Sequence, residues 1–272
     1  MKKILNYIVI FSVLLITSGC VAHKSVFLHP GPNIDDNTQD FVLDNPAKII
    51  VVLFNQGTSK SSYYPSCNPQ KRAPDVFKSM AGTTIAGKTI YVYYRCTSVT
   101  GDRYIHGRAK EIEATLDLFL AKGVPAKHIF LAGQSAGAWS SIVTARDAAH
   151  KFNAIIGVAP AFSGKKSRRN LKWQDYRKAE VQKIRKLNQL NALIYAFKDD
   201  AYNEISDLEF LSEIAGVVFV PLDWNIIEGV PCNSKKSKAH STVYRDCFKI
   251  TQLDKIKRYI NKRINVQKSA GQ

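Results

Sequence analysis

The sequence predicts an α/β protein built on a doubly wound, mostly parallel sheet. Short apolar runs without polar alternation recur along the chain, as expected of strands that are covered on both faces. Helical segments with an apolar stripe separate these runs, and such alternation is typical of a parallel sheet between two helical layers. The chain of 272 residues is long enough for one domain of this kind with a sizeable core.

The predicted strands are apolar throughout rather than on one side. The run from Ile49 to Phe54, for example, contains no polar residue, which favours a strand buried on both faces. In chain order, the predicted strands cover residues 49–54, 90–94, 129–132, 154–159, 193–197 and 217–220.

The predicted helices place apolar side chains at intervals of three and four residues. In the first helix, Ile112, Leu116 and Phe119 fall on one face, and Gly123 followed by Pro125 ends the helix. In chain order, the predicted helices cover residues 108–122, 136–149, 204–215 and 253–264.

The first residues of the chain indicate export. Residues 1–19 have the plan of a signal peptide, since two lysines precede an apolar run, Ile4 to Ile16, that is too short to span a bilayer permanently. Small residues precede Cys20, as at sites where bacterial lipoproteins are cleaved and lipidated, although Thr17 occupies the position where leucine is commonest. We therefore expect a lipid anchor on Cys20 that holds the protein at a bacterial membrane, facing the periplasm or the exterior. Cleavage after Ala22 is the alternative, and it would release a soluble periplasmic or secreted protein.

The rest of the chain divides into a tether and one domain. Residues 20–44 contain Pro, Gly, Asp and Asn and are interpreted as a tether, with one short edge strand at residues 41–43. The domain is expected to cover residues 45–265. Within it, residues 163–190 hold ten basic and two acidic residues between two predicted strands. This segment is predicted to contain one or two short helices and to form either a solvated basic face or a cap that also contacts an anionic membrane.

The basic composition predicts an anionic partner. The sequence holds 39 Lys and Arg against 22 Asp and Glu, a net charge of +17. Loss of residues 1–19 removes two lysines and leaves a net charge near +15, which favours an anionic membrane surface or an acidic polymer as a partner. The sequence contains no zinc-finger, RRM or helix-turn-helix pattern, so nucleic acid is not an expected partner.

Cysteine usage is consistent with export. Four cysteines remain after Cys20, namely Cys67, Cys96, Cys232 and Cys247. An even number in an exported protein indicates disulfides, and four cysteines allow three connectivities. Pairing of sequence neighbours gives Cys67–Cys96 and Cys232–Cys247. No Cys-x-x-Cys spacing appears, so no metal site is expected.

A candidate nucleophile follows the predicted strand at residues 129–132. The pentapeptide Gly133-Gln134-Ser135-Ala136-Gly137 has the G-x-S-x-G pattern in which a strand turns sharply into a helix. The two glycines allow this turn without side-chain clashes, and the turn presents the serine Oγ at the edge of the sheet.

A serine nucleophile needs a base that accepts its proton and an acid that orients the base. With this type of turn, the chain order is serine, acid, histidine. Only His150 and His240 follow Ser135, and His150 lies at the end of the helix that begins at the serine. His240 is therefore the candidate base by elimination, in a loop that a Cys232–Cys247 disulfide would restrain.

The acid is expected at the carboxyl end of the strand at residues 193–197, because ligand sites of open parallel sheets lie there. Asp199 and Asp200 both follow this strand. Spacing from the end of the strand favours Asp200, and Asp199 is the alternative.

Two backbone N–H groups are predicted to stabilise the oxyanion that acyl transfer forms. One belongs to Ala136, directly after the nucleophile and at the positive end of the following helix. The other belongs to Thr58, in the loop Asn55-Gln56-Gly57-Thr58 after the first predicted strand, where Gly57 allows the chain to turn.

These residues resemble the α/β-hydrolase superfamily, and specifically its compact dienelactone-hydrolase and esterase-like members. The resemblance covers roughly residues 45–265 and rests on the pentapeptide around Ser135, on Asp200 after the later strand and on His240. Relatives commonly have His-Gly where this chain has Gln56-Gly57. The resemblance implies the α/β-hydrolase fold and acyl transfer to water through an acyl-serine intermediate. It also implies a small-molecule ester or lipid-like substrate and no metal or organic cofactor.

The predicted function is therefore that of an exported serine hydrolase of the carboxylesterase type. A serine peptidase of the same fold is one alternative. A non-catalytic lipoprotein that binds an anionic polymer or a lipid surface through residues 163–190 is another. The enzyme is favoured, since a binding module has no need of a serine, an acid and a histidine in this order.

Overall fold

A mixed sheet forms the centre of the computed structural model. The structure describes residues 26–28, 41–57, 73–95, 97, 99, 104–162, 165–166, 171–232 and 238–269. Within these residues the sheet has eight strands, in chain order β1 (Val26–Leu28), β2 (Ile49–Asn55), β3 (Thr84–Ile85), β4 (Lys88–Arg95), β5 (Ile129–Gln134), β6 (Ala154–Val158), β7 (Ala192–Phe197) and β8 (Val217–Leu222). A separate hairpin pairs β9 (Ile226–Ile227) with β10 (Val230–Pro231).

The strand order places a switch point at the middle of the sheet. The order is β1-β4-β2-β5-β6-β7-β8, and β3 also pairs with β4. Strands β4, β2, β5, β6, β7 and β8 are parallel, whereas β1 and β3 are antiparallel to β4. From β2 the chain proceeds to β4 on one side and then returns to β5 on the other. Ligand sites of open parallel sheets lie outside the carboxyl ends of the strands at such a point.

Helices cover both faces of the sheet. In chain order they are α1 (Asp75–Lys78), α2 (Tyr104–Ala121), α3 (Ala136–Ala148), α4 (Leu171–Arg185), α5 (Ile205–Leu208) and α6 (Asp246–Ser269). In β2, Val51 and Leu53 pack in one core with α2, α3 and α4, while Val52 and Phe54 pack in the other with α1 and α6. The helices contribute Ile112, Leu116, Trp139, Ile142 and Ile184 to the first core, and Phe77, Phe248, Ile256 and Ile260 to the second. Burial on both faces is the reason why these strands lack polar alternation.

The predicted fold class is confirmed. All six predicted strands occur, with ends within two residues of the predicted positions. The predicted helices at residues 108–122 and 136–149 correspond to α2 and α3. The last helix is longer than predicted, because α6 begins at Asp246, and the predicted helix at residues 204–215 is the short α5 followed by a 3-10 helix, Glu209–Glu213.

The prediction for residues 20–44 is corrected by the strand that forms the edge of the sheet. The predicted strand at residues 41–43 is wrong, since the edge strand is β1, which pairs with β4. Alternating burial imitates a strand here, because Phe41 is 1% exposed and Val42 is 78% exposed. The Phe41 ring packs against Phe27, with centroids 5.2 Å apart, in the core beside α2. The interpretation as a tether therefore fails for residues 26–28 and 41–43, which belong to the domain.

The basic segment at residues 163–190 contains one helix in its described part, α4, which packs beside α3. Several of its cations contact acids of the domain, so they do not form an uninterrupted basic face. The ion pairs are Lys166 with Glu204 and Asp207, Lys183 with Glu180, and Arg185 with Glu213. Residues 163–164 and 167–170 lie outside the described residues, and a cap over the site stays a prediction.

Candidate active site

Ser135 forms the turn between β5 and α3, and its backbone is strained. Its φ of 57° and ψ of −126° lie in a region that residues with a side chain rarely adopt. The surrounding backbone holds this conformation through hydrogen bonds. The Ser135 N–H donates to the C=O of Val158 at 3.0 Å, and the Ser135 C=O accepts the N–H groups of Trp139 and Ala161, each at 3.1 Å. The strained turn fixes the direction of the serine side chain.

The two glycines of the pentapeptide are required by close backbone contacts. A Cβ on Gly137 would lie 2.0 Å from the carbonyl oxygen of Asn55, and a Cβ on Gly133 would lie 2.6 Å from the backbone N of Ala138. Helix α3 therefore leaves β5 in direct backbone contact with the end of β2. Only glycine fits at these two positions without displacing main chain.

The structure brings Ser135, His240 and Asp200 together in one line of hydrogen bonds. The distance from Ser135 Oγ to His240 Nε2 is 2.7 Å, and that from His240 Nδ1 to Asp200 Oδ2 is 2.8 Å. The Asp200 side chain is fully buried, and that of His240 is 12% exposed. With its proton assigned to Nδ1, the imidazole donates to the carboxylate and presents Nε2 as the acceptor of the serine hydroxyl proton. His150, the other histidine after Ser135, is exposed beyond the end of α3.

The two candidate acids differ in direction. Asp199 is exposed and has a left-handed φ of 59°, whereas Asp200 is 2% exposed and faces His240. The second carboxylate oxygen of Asp200, Oδ1, accepts the N–H of Tyr202 at 2.8 Å. Both oxygens of this buried carboxylate are therefore hydrogen-bonded, as a buried charge requires.

The loop that carries His240 is fixed at several points. Cys232 and Cys247 form a disulfide that spans 15 residues. A 3-10 helix, Ala239–Tyr244, contains the histidine, and Gln134 Nε2 donates to the His240 C=O at 2.9 Å. Residues 233–237, Cys67 and Cys96 lie outside the described residues, so the predicted Cys67–Cys96 pair stays a prediction.

Known proteins share this architecture. No family model matches the chain, and no curated protein sequence matches it. Among solved structures, DcsB in complex with its substrate analogue is 12% identical, with a TM-score of 0.54 over 80% of this chain and 92% of that one. MGS-M1, an α/β hydrolase enzyme from a Medee basin deep-sea metagenome library, is 16% identical, with a TM-score of 0.51 over 83% of this chain and 91% of that one. The chain has the α/β-hydrolase fold.

A larger protein also contains this fold. Oligopeptidase B from Trypanosoma brucei is 12% identical, with a TM-score of 0.52, and the match covers 82% of this chain but 34% of that protein. At such low identity the likeness is one of fold alone.

Of the two predicted oxyanion donors, Ala136 lies among the described residues and Thr58 does not. Ala136 is the first residue of α3, so its N–H belongs to the first turn, whose donors have no partner within the helix. Gly57 lies against Ser135, since a Cβ on it would be 2.8 Å from Ser135 Cβ. Thr58 lies outside the described residues, and its role stays a prediction.

Sequence reasoning did not find the buried polar network behind the oxyanion loop. The Tyr94 hydroxyl donates to the side-chain oxygen of Gln56, the residue that replaces the common histidine. Arg108 is 0% exposed, and its Nη2 donates to the Arg95 C=O at 2.8 Å and to Asn55 Oδ1 at 3.4 Å. Burial and the neighbouring Arg108 lower the pKa of Arg95. The signal in the sequence is the position of Arg108, which precedes Ile112 and Leu116 on the apolar stripe of α2.

Two further features bear on the predictions for metal and membrane. Within the described ranges, no group of three His, Cys, Asp or Glu residues converges as a metal site. Across the same part of the chain, every helix is too short or too polar to cross a lipid bilayer.

Proposed function

We propose that this protein is an exported serine hydrolase that cleaves carboxylic esters through an acyl-serine intermediate. The observation that carries the proposal is the line of hydrogen bonds from Ser135 through His240 to Asp200, at 2.7 and 2.8 Å. A serine, a base and an orienting acid in this geometry are the parts that nucleophilic acyl transfer requires.

In the first half of the reaction, Ser135 Oγ attacks the ester carbonyl carbon while His240 Nε2 accepts the hydroxyl proton. The buried Asp200 carboxylate keeps the imidazole in the required tautomer and stabilises the imidazolium. The N–H of Ala136, with that of Thr58 as the second donor, stabilises the oxyanion. When the tetrahedral intermediate collapses, the C–O bond to the alcohol breaks, His240 returns the proton to the alcohol, and the acyl group stays on Ser135.

In the second half, water replaces the alcohol. His240 accepts a proton from the water, whose oxygen attacks the carbonyl carbon of the acyl-serine. Collapse of the second intermediate breaks the bond to Ser135 Oγ, and His240 returns the proton to that oxygen. One ester and one water are consumed for each acid and alcohol that leave.

Labelling with a fluorophosphonate probe tests the nucleophile directly. We expect the probe to label the wild-type protein and to leave Ser135→Ala unlabelled, because the probe reacts only with an activated serine. Labelling that persists in Ser135→Ala contradicts the assignment of the nucleophile. Absence of labelling in folded wild type favours the alternative, a non-catalytic lipoprotein that binds an anionic polymer or a lipid surface.

A serine peptidase is the second candidate, because the same geometry serves amide hydrolysis and the oligopeptidase shares the fold. Hydrolysis of p-nitrophenyl esters of increasing acyl length, compared with that of peptide anilides, separates the two. The ester proposal predicts turnover of esters without turnover of anilides, and lipid-like substrates are indicated if activity rises with acyl length. Preferential turnover of anilides establishes the peptidase instead.

Export and lipid anchoring are part of the proposal, and they rest on the sequence of residues 1–22. Radiolabelled palmitate should be incorporated in the bacterial cell by the wild type and not by Cys20→Ala. Failure of the wild type to incorporate palmitate, with export retained, supports cleavage after Ala22 and a soluble protein.

Contact with an anionic membrane surface is the remaining part of the proposal. Its support is the net charge near +15 that remains after loss of residues 1–19. No nucleic-acid partner is proposed.

A further inference from the structure

One aromatic residue contacts both the base and the acid of the candidate site. The ring of Tyr202 lies almost flat on the imidazole of His240, with ring centroids 3.9 Å apart and an interplanar angle of 24°. The backbone N–H of the same residue donates to Asp200 Oδ1 at 2.8 Å. Tyr202 therefore contacts both Asp200 and His240.

The turn that carries Tyr202 is anchored on both sides. The buried Asn203 side chain donates to the Pro160 C=O at 2.8 Å, which joins the turn to the segment after β6. The Lys166 N–H donates to the Ala201 C=O at 2.9 Å. The neighbours of Tyr202 on both sides, the Ala201 backbone and the Asn203 side chain, are therefore bonded to two other segments. These bonds restrain the chain at Tyr202, whose ring lies against the imidazole.

We propose that Tyr202 is a positioning residue for the hydrolysis proposed above, on which this inference rests. Its ring restricts rotation of the His240 side chain, so that Nδ1 keeps its bond to Asp200 while Nε2 faces Ser135. Its electron-rich face also stabilises the imidazolium that forms when His240 takes the serine proton. Stabilisation of the imidazolium acts on the transition state and not on the ground state, since the imidazole is neutral before the reaction.

Substitutions at residue 202 separate the ring face from the hydroxyl. Tyr202→Leu keeps apolar bulk and removes the ring, whereas Tyr202→Phe keeps the ring and removes the hydroxyl. With p-nitrophenyl acetate, we expect Tyr202→Leu to lower kcat by about 3- to 30-fold with KM unchanged. Tyr202→Phe should keep the wild-type kcat, and thermal unfolding should show that both variants are folded. If Tyr202→Leu does not fold, Tyr202→Met provides the same comparison.

Two results overturn this inference. One is a wild-type kcat in Tyr202→Leu or Tyr202→Met. The other is an equal loss in Tyr202→Phe, which assigns the effect to the hydroxyl rather than to the ring. Fluorophosphonate labelling of wild type but not of Ser135→Ala keeps the proposed function in either case, so failure of the function and failure of this inference are distinguishable.

Discussion

At the scale of single residues, Gln134 connects three parts of the candidate site. Its backbone directly precedes Ser135, and its side-chain Nε2 donates to the His240 C=O at 2.9 Å. Its Oε1 faces Gly57, since a Cβ on that glycine would lie 2.7 Å away. Because Gln134 is only 6% exposed, water does not replace these contacts freely. The side chain therefore links the backbone of His240 to the segment that carries Ser135.

Replacement of Gln134 by methionine tests this role. Gln134→Met keeps the length of the side chain and removes the donor, so we expect kcat/KM for p-nitrophenyl acetate to fall by about tenfold. Steady-state kinetics measure the loss, and thermal unfolding checks that the fold persists. Gln189→Met is the matched control, because Gln189 is exposed and bonds Asn191. Equal kcat/KM in Gln134→Met and wild type contradicts the role.

The sequence predicts the residue types of the site better than their contacts. Ser135 and His240 follow from a local pattern and from chain order, and the structure brings them together. Spacing favours Asp200 over Asp199, and Asp200 is the one that contacts His240. The left-handed backbone of Asp199, with a φ of 59°, is not visible in the sequence. The contact between Tyr202 and His240 joins residues 38 positions apart, and no local pattern encodes such a contact.

At the scale of elements, the segment between β10 and α6 carries His240, the candidate base. Its start follows β10 at Cys232, which is 5% exposed, and its end is Cys247 in the first turn of α6, which is 3% exposed. The disulfide between them closes a loop that contains the 3-10 helix with His240. The cross-link reduces the conformational freedom that the unfolded loop would have.

Removal of the cross-link should destabilise the protein measurably. In Cys232→Ser/Cys247→Ser we expect the free energy of unfolding to fall by about 3 kcal/mol, the value for a closed loop of this length. Urea denaturation followed by circular dichroism measures the change. Reductant should lower the stability of the wild type more than that of the double variant, which keeps only the predicted Cys67–Cys96 pair. Equal unfolding free energies of variant and wild type, without reductant, contradict this expectation.

Strands and helices could be predicted from the sequence where their apolar residues follow the pattern expected of a buried strand or of a helix. Strands β2, β4, β5, β6, β7 and β8 were predicted because each contains an apolar run without polar alternation, whereas the two-residue strand β3 was not predicted. Edge strand β1 was missed because it has three residues and its partners in β4 lie 64 to 68 residues further along the chain. The start of α6 was missed because the buried Gln252 falls between Phe248 and Ile256 on the core-facing stripe and interrupts its apolar pattern.

At the scale of the whole molecule, a strongly basic helix runs from the site, at the carboxyl ends of the strands, to the opposite edge of the sheet. Helix α6 carries seven basic and two acidic residues. It begins beside the disulfide near the site, and Arg263 in its last part donates to Asn153 Oδ1 at 3.1 Å, where β6 starts. Arg258 and Lys262 are exposed on this part of the helix. Two cations of α4, Lys183 and Arg185, are paired with Glu180 and Glu213. In α6, Lys255 is paired with Glu228, but no ion pair of Arg258 or Lys262 occurs among the described residues. Arg258 and Lys262 are therefore better candidates than Lys183 and Arg185 for contact with an anionic membrane.

Vesicle binding by the protein produced without residues 1–22 tests contact of α6 with an anionic membrane in the absence of the lipid anchor. We expect binding to vesicles that contain phosphatidylglycerol, loss of binding at high salt, and none to vesicles of phosphatidylcholine alone. Arg258→Gln/Lys262→Gln should weaken binding by about 2 kcal/mol, or about 30-fold, since each basic residue near such a surface contributes about 1 kcal/mol. Lys183→Gln/Arg185→Gln removes the same charge from α4 and should weaken vesicle binding less.

A larger loss of binding in the α4 variant assigns the contact to residues 163–190 instead. Ester hydrolysis in solution should not change in either variant, because neither pair contacts Ser135, His240 or Asp200.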